Sequence, residues 1–209
     1  MNREYRMLSF VPRWGVAPRH HQASVAEHSY YVALYSGILC DILDIQGSER
    51  LTVIEYALVH DVFETWTSDI PGPAKRAIVD PDKLDAYHKE FGRGMGPYYH
   101  QAMLGKVSIV FSDDEDPEQG HLEYNTRDIV KVADLIDSVF YLKSEILFGN
   151  RFVGGLYSRD AMRLSTALEI FGEERCAEIY NMVQDALLEM ANMGAVLPIV
   201  DSDLPKAAE

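Results

Sequence analysis

The sequence predicts an all-α chain, and three observations carry that prediction. Apolar residues recur at helix spacing through residues 25–43, 49–66 and 126–147. Ser24 followed three residues later by Glu27 forms a capping-box pattern where the first of these stretches begins. Pro71-Gly-Pro73 then stops helical continuity. At 209 residues, one domain with a substantial core is expected, a helical bundle over residues 1–200 with residues 201–209 as a mobile tail.

Taken in order, residues 25–43 place Val25, Tyr31 or Val32, Leu34, Ile38 and Ile42 on a common stripe. Gly47-Ser48 breaks the chain, and Ser48 is a candidate cap for a helix from about Glu49 to Trp66 with Leu51, Ile54, Leu58 and Val62 inward. On that helix His60 and Glu64 share a face, with Asp61 alongside. Lys83 to Phe91 reads as a helix, Gly92 to Gly96 as a turn, and Pro97 to Val110 as another helix. Ser112 to Gly120 is polar and acidic, a surface loop. Thr126 to about Leu147 is a long helix burying Ile129, Val132, Ala133, Ile136, Phe140 and Ile146, and Asp160 to Met193 holds one long or two shorter helices.

Bulk properties narrow the function. Lys and Arg total 19 against 33 Asp and Glu, a net charge of −14, which repels polyanions and argues against a nucleic-acid surface. An anionic small molecule would need local positive charge, for which Arg13, Lys75 and Arg76 are candidates. No apolar run reaches membrane-spanning length and no signal-peptide region follows Met1, so a cytoplasmic protein without membrane contact is expected. Cys40 and Cys176 fall in helical apolar patterns and read as reduced core thiols.

The chemistry gathers around His60-Asp61. Neighbouring helical residues point about 100° apart, so both reach one cation only if other segments complete the site. His28 and Asp134 are those candidates. Taken singly, His28 reads as a hydrogen-bonded histidine and Asp134 as a helix–helix acceptor. Together with His60 and Asp61 they form a two-His, two-Asp set between central helices, suited to one divalent transition metal such as Co, Mn or Zn. Asp134 lies among apolar residues, where an unpaired carboxylate is costly. Glu64 is the carboxylate best placed in sequence to handle a proton.

Three stretches carry a family resemblance: Phe10-Val-Pro-Arg13-Trp14, Ser24-Val-Ala-Glu-His28-Ser29, and His60-Asp61-Val-Phe-Glu64-Thr-Trp-Thr-Ser-Asp69-Ile-Pro71. With Val132-Ala-Asp134-Leu they give an H…HD…D pattern that resembles the HD-domain metal-dependent phosphohydrolases. More narrowly, they resemble the HD-domain 5'-deoxynucleotidases, and the phage dATP triphosphohydrolases are similar over the same segments. The resemblance runs from about Arg13 to Leu142.

It implies a phosphohydrolase that cleaves the bond to the 5'-oxygen of a deoxynucleotide, with His28, His60, Asp61 and Asp134 on the metal and Glu64, Arg13 and Asp69 as catalytic groups. Arg13 would orient phosphate, and Trp14 would pack on the sugar and select deoxyribose. Asp69, with Ile70 to Gly72 behind it, would contact substrate. Val16 falls where the phage enzymes set an apolar side chain against adenine, and Lys75 is a further phosphate candidate. A homo-oligomer, dimer or larger, is also implied. Products are deoxynucleoside and phosphate from a monophosphate. The alternatives are a dATP or dNTP triphosphohydrolase releasing triphosphate, and a non-catalytic nucleotide-binding module.

Overall fold

The computed structural model describes residues 4–71 and 123–196 and, between them, residues 74, 77, 80, 83, 86, 90, 91, 102, 103 and 108–110. Helix α1 (Glu4–Met7) leads through a short 3-10 turn into a loop and then α2 (Val25–Ile42). There follow α3 (Gly47–Val59), α4 (Glu64–Thr67), α5 (Thr126–Leu147), α6 (Gly154–Leu168) and α7 (Gly172–Val196). The all-α expectation holds, with one small addition. Ser108–Val110 (β1) and Glu123–Asn125 (β2) pair antiparallel, Ile109 opposite Tyr124. The sequence reading continued a helix to Val110; the β-branched Ile109-Val110 pair favours the extended form once a partner strand is present. The expected turn at 92–96, the acidic loop at 112–120, Lys75, Arg76 and the tail at 201–209 lie outside the described residues.

Helices α2 and α5 lie against each other at the centre; α3 packs on α2, α6 on α5, and α7 touches α2, α5 and α6. Both central helices start at complete capping boxes. Ser24 accepts from the Glu27 N–H while Glu27 returns to the Ser24 N–H, and Asn125 does the same with Asp128. The main core joins Leu39, Leu43, Ile129, Ile136, Leu168 and Ile179. No described helix is long and apolar enough to cross a membrane. Cys40 and Cys176 are free thiols, and burial pushes the Cys40 thiol up to about 11.

Three sequence expectations shift. Helix α3 begins at Gly47, whose φ is +61°, with Gln46 at the cap position and no side-chain cap from Ser48. It buries Val53, Ala57 and Val59, while Leu51 and Leu58 are exposed, so the inward face is rotated from the one expected. In α2, Val25 and Val32 are buried as expected but Leu34 and Ile38 face outward. The helix expected to run to Trp66 is broken by a turn at His60–Phe63, so His60 and Glu64 do not share one helix. A second core explains the break: Val59, Val62 and Phe63 anchor the turn against Leu8, Val11, Val25 and Phe91. The turn therefore keeps its apolar residues below and offers His60 and Asp61 to the other side.

The loop of residues 13–23 is tied down at both ends. Its base is closed by Arg13 N–H to Ala23 C=O at 2.9 Å and Val25 N–H to Val11 C=O at 2.9 Å. Its far end rests on α5: Glu145, fully buried, accepts the backbone N–H of both His20 and His21 at 2.8 Å and the Asn150 amide at 2.8 Å. Asn150 also donates to the Pro18 carbonyl, and the Tyr141 hydroxyl donates to the His21 carbonyl at 2.6 Å.

Burial pushes the Glu145 carboxyl up, but its bonds from Asn150, His21 and His20 leave it below the ordinary glutamate value. Its stabilisation is present above the unfolded value of about 4.3 and is lost as pH falls through the folded value. Glu145→Ala leaves buried donors without an acceptor and should cost about 2–5 kcal/mol in urea unfolding. A loss under 0.5 kcal/mol, about the size of a neutral surface change, would show that the loop is held by other means.

Candidate metal and nucleotide site

His28 comes from the first turn of α2, His60 and Asp61 from the turn between α3 and α4, and Asp134 from the third turn of α5. Nitrogen and oxygen atoms of His28, His60 and Asp61 all lie within 4.8 Å of one another. Asp134 stands beside this group, its Oδ1 3.4 Å from His28 Nε2. The two imidazoles meet edge to face at 5.3 Å between ring centroids.

The outer nitrogens fix the tautomers. His28 Nδ1 is 2.6 Å from Asp137 Oδ2, and His60 Nδ1 is 2.7 Å from the Ala57 carbonyl. Both acceptors require an N–H there, which leaves the Nε2 lone pairs pointing at the shared centre. His28 Nε2 and His60 Nε2 are buried and have no hydrogen-bond partner. Two orphaned lone pairs converging with the Asp61 carboxylate, and the Asp134 carboxylate beside them, fit a divalent transition metal. Asp137 was missed by the sequence reading, although it lies one turn past Asp134 on the same face of α5.

Arg13 occupies the space beside these carboxylates. Its guanidinium donates to Asp134 Oδ1 at 3.0 Å and lies 3.4 Å from Asp61 Oδ2. Lys131 also bonds Asp134. Burial acts against every charge here, yet is outweighed. His60, His28 and Arg13 hold Asp61 well below the usual carboxylate range, and Lys131, Arg13 and the two histidines do the same for Asp134. Burial and the Arg13 charge lower His28, which favours its neutral, ligating form, whereas Asp61 raises His60 against its burial.

A cavity of about 380 Å³ opens over the group. Glu64, buried, and Asp69 line it, as do Trp14, Val16, Ile70 and Pro71 on its apolar side. Asp61, Asp134 and Arg13 also line it. His28 lines a second cavity, and His28 and His60 reach this group only through their Nε2 contacts with Asp61 and Asp134, while Lys75 lies outside the described residues. Trp14 sits at φ 59°, a left-handed conformation that costs a bulky residue about 1–3 kcal/mol. Its N–H donates to Asp69 Oδ2 at 2.9 Å, its carbonyl accepts from Arg19 at 2.8 Å, and its ring stacks parallel to Tyr141 at 6.1 Å. The cavity also has a wall from α5 and α6 that the sequence reading did not anticipate, with Lys131, Ser138, Arg159, Asp160 and Arg163.

Asp61→Ala should abolish both bound metal and turnover, checked by metal content after gel filtration and by phosphate release. Asp137→Asn should lower metal affinity roughly ten- to a hundred-fold by loosening the His28 tautomer. An unchanged metal titration curve would remove Asp137 from that role.

Comparison with known proteins agrees with this geometry. A family profile described as 5'-deoxynucleotidase YfbR-like matches residues 4–176. The chain is 26% identical over 149 residues to a 4'-phosphooxetanocin A phosphatase of Priestia megaterium, covering 69% of this chain and 72% of that one. It is 28% identical over 147 residues to a dATP triphosphohydrolase of Salmonella phage PMBT28, covering 67% and 64%. A 5'-deoxynucleotidase of Pasteurella multocida is 28% identical over 149 residues, covering 69% and 73%. Among solved structures, the fold matches a cyanophage S-2L HD phosphohydrolase, DatZ, bound to dA and one catalytic Zn2+ ion. The TM-score is 0.63 at 17% identity, covering 90% of this chain and 97% of that one. An HD-domain phosphohydrolase of Listeria innocua matches with TM-score 0.63 at 19% identity, covering 91% and 90%. The chain has the fold of the HD-domain phosphohydrolases and belongs to the YfbR-like 5'-deoxynucleotidase family.

Proposed function

We propose that this enzyme hydrolyses deoxynucleoside 5'-phosphates at the bond between the α-phosphorus and the 5'-oxygen, with one divalent transition metal held by His28, His60, Asp61 and Asp134. The observation that carries the reading is the pair of buried Nε2 atoms without a hydrogen-bond partner set beside the Asp61 and Asp134 carboxylates that line the cavity. When bound, such an ion lowers the pKa of water and offsets charge on a phosphoryl oxygen. The relatives named for deoxynucleotides and the DatZ structure with dA and Zn2+ support both substrate class and cofactor.

The chain's own residues supply the rest. Glu64, buried on the cavity wall, orients the attacking water and takes its proton. Arg13 bonds Asp134 and lies beside Asp61, the carboxylates that would hold the metal, and its guanidinium would suit a phosphoryl oxygen as acceptor. Asp69, by fixing the Trp14 N–H, holds Trp14 in its strained conformation at the sugar position. An indole packed there leaves a 2'-hydroxyl without room or a partner, which favours deoxyribose. Val16, Ile70 and Pro71 form the apolar surface for the base, and Lys75 is a phosphate candidate on the sequence resemblance alone.

A second reading, a dNTP triphosphohydrolase, uses the same bond and the same floor, and is supported by the phage relative. A non-catalytic binder is disfavoured, because it has no use for a buried carboxylate beside the metal group. Two broader features complete the proposal. Tyr30, Leu34 and Ile38 form an exposed apolar stripe four residues apart on α2, which supports self-association into a dimer or larger. The free thiols Cys40 and Cys176 suit a cytoplasmic setting.

Chromatography of products after incubating Mn- or Co-loaded protein with dAMP, dATP and ATP tests the reading. Deoxyadenosine should form from at least one deoxynucleotide, and ATP should be the poorer substrate. No turnover of any deoxynucleotide by metal-loaded protein would overturn it. Trp14→Ala should reduce the deoxyribo-to-ribonucleotide ratio of kcat/KM roughly ten-fold or more, and an unchanged ratio would exclude Trp14 from sugar selection.

A further inference from the structure

The wall contributed by α5 and α6 carries two arginines, Arg159 and Arg163, that the metal group and its carboxylates do not engage. Asp160, on α6, is buried and accepts the Ser138 hydroxyl at 2.6 Å, which ties the two helices together. The same carboxylate accepts Arg159 Nε at 2.8 Å and Arg163 Nη1 at 3.2 Å. Each guanidinium spends one nitrogen on Asp160 in these bonds, and both side chains remain more than a third exposed. Burial pushes the Asp160 carboxyl up, but Arg159 and Ser138 together with Arg163 hold it below its ordinary value, so it stays an anion that anchors both arginines.

The register places these cations. Residues 131, 134, 135 and 138 on α5 repeat at three and four, as do residues 156, 159, 160 and 163 on α6, so each set forms one stripe. Both stripes line the cavity. Lys131, bonded to Asp134, joins the arginines to the acidic floor. The apolar surface comes from other elements, the loops carrying Trp14, Val16, Ile70 and Pro71. One cavity therefore combines an apolar surface, a floor with the reacting groups, and a cationic wall, in a chain whose net charge is −14.

We infer that Lys131, Arg159 and Arg163 form a polyphosphate subsite that receives the phosphates beyond the α-phosphate, with Asp160 positioning the two arginines. This rests on the deoxynucleotidase reading for where the reacting phosphorus lies. A deoxynucleoside triphosphate bound so that its α-phosphorus meets the floor directs its β- and γ-phosphates to this wall. Water adds its oxygen to the α-phosphorus, the bond to the 5'-oxygen breaks, and that oxygen takes up a proton. The products are deoxynucleoside and inorganic triphosphate. A monophosphate needs none of these cations, so they set preference for phosphate number.

Inorganic tripolyphosphate is the probe, titrated by calorimetry into Mn-loaded wild type and the Arg159→Gln/Arg163→Gln double variant, with orthophosphate as the reference. Wild type should bind tripolyphosphate more tightly than orthophosphate. The variant should lose roughly ten- to a hundred-fold of that affinity, the range set by charge-assisted hydrogen bonds. Its ratio of kcat/KM for dATP over dAMP should fall by a similar factor. Arg163→Gln alone leaves Asp160 its bonds from Arg159 and Ser138, and should show a smaller loss if the double variant does not fold. Tripolyphosphate bound no better than orthophosphate, or unchanged affinity in a folded variant, overturns the subsite. Arginine-dependent tripolyphosphate binding without turnover of any deoxynucleotide overturns the deoxynucleotidase reading and upholds the subsite.

Discussion

Two carboxylates withdrawn from bulk water and aimed at one point must be matched by positive charge, and the rest of this fold is arranged around that requirement. Asp61 and Asp134 retain about a fifth of their side-chain exposure, and burial alone would drive them towards protonation. Arg13 and Lys131 supply the compensation here, and a divalent ion would supply more of it in less space. The histidines could not do so alone, since their outer nitrogens are committed to Asp137 and the Ala57 carbonyl. Their inner nitrogens are thus presented as lone pairs.

That requirement propagates outward along α5. Asp134, Asp137 with its neighbour Ser138, Tyr141 and Glu145 recur along one side of the helix, each bonded to something outside its own helix. One polar stripe on an otherwise apolar helix thereby sets Arg13, orients His28, ties α6 and holds the 13–23 loop. The left-handed backbone at Trp14 persists because Asp69, Arg19 and Tyr141 constrain its N–H, carbonyl and ring separately. Removing any one of the three leaves two others opposing relaxation.

Much of this was legible in the residues themselves. The Ser24–Glu27 box set the start of α2, and the long periodic run of 126–147 matched α5 at both ends. The His and Asp types at 28, 60, 61 and 134 were enough to nominate the floor of the site. Periodicity failed where a helix carries apolar residues on two faces. Leu51 and Leu58 fit an inward stripe as well as Val53 and Ala57 do, and only the packing partner decides between them. The break at His60–Phe63 carries no Gly or Pro to announce it; the second core imposes it from outside. Asp137 and Glu145 were hidden because a carboxylate within an apolar run looks like an exception until its partner, more than a hundred residues away, is known.

The proposed metal group would draw on residues 28, 60, 61 and 134, on segments that the packing of α2, α3 and α5 against one another brings together. No stretch of nascent chain that stops before α5 can assemble it, and neither half of a cleaved chain holds the full set. Capture of a metal at this group would therefore be a late event in folding, and the free energy it released would accrue to the complete bundle in preference to any partly folded form. Partial chains should have little hold on the ion, so chelation would weaken the fold as a whole unit.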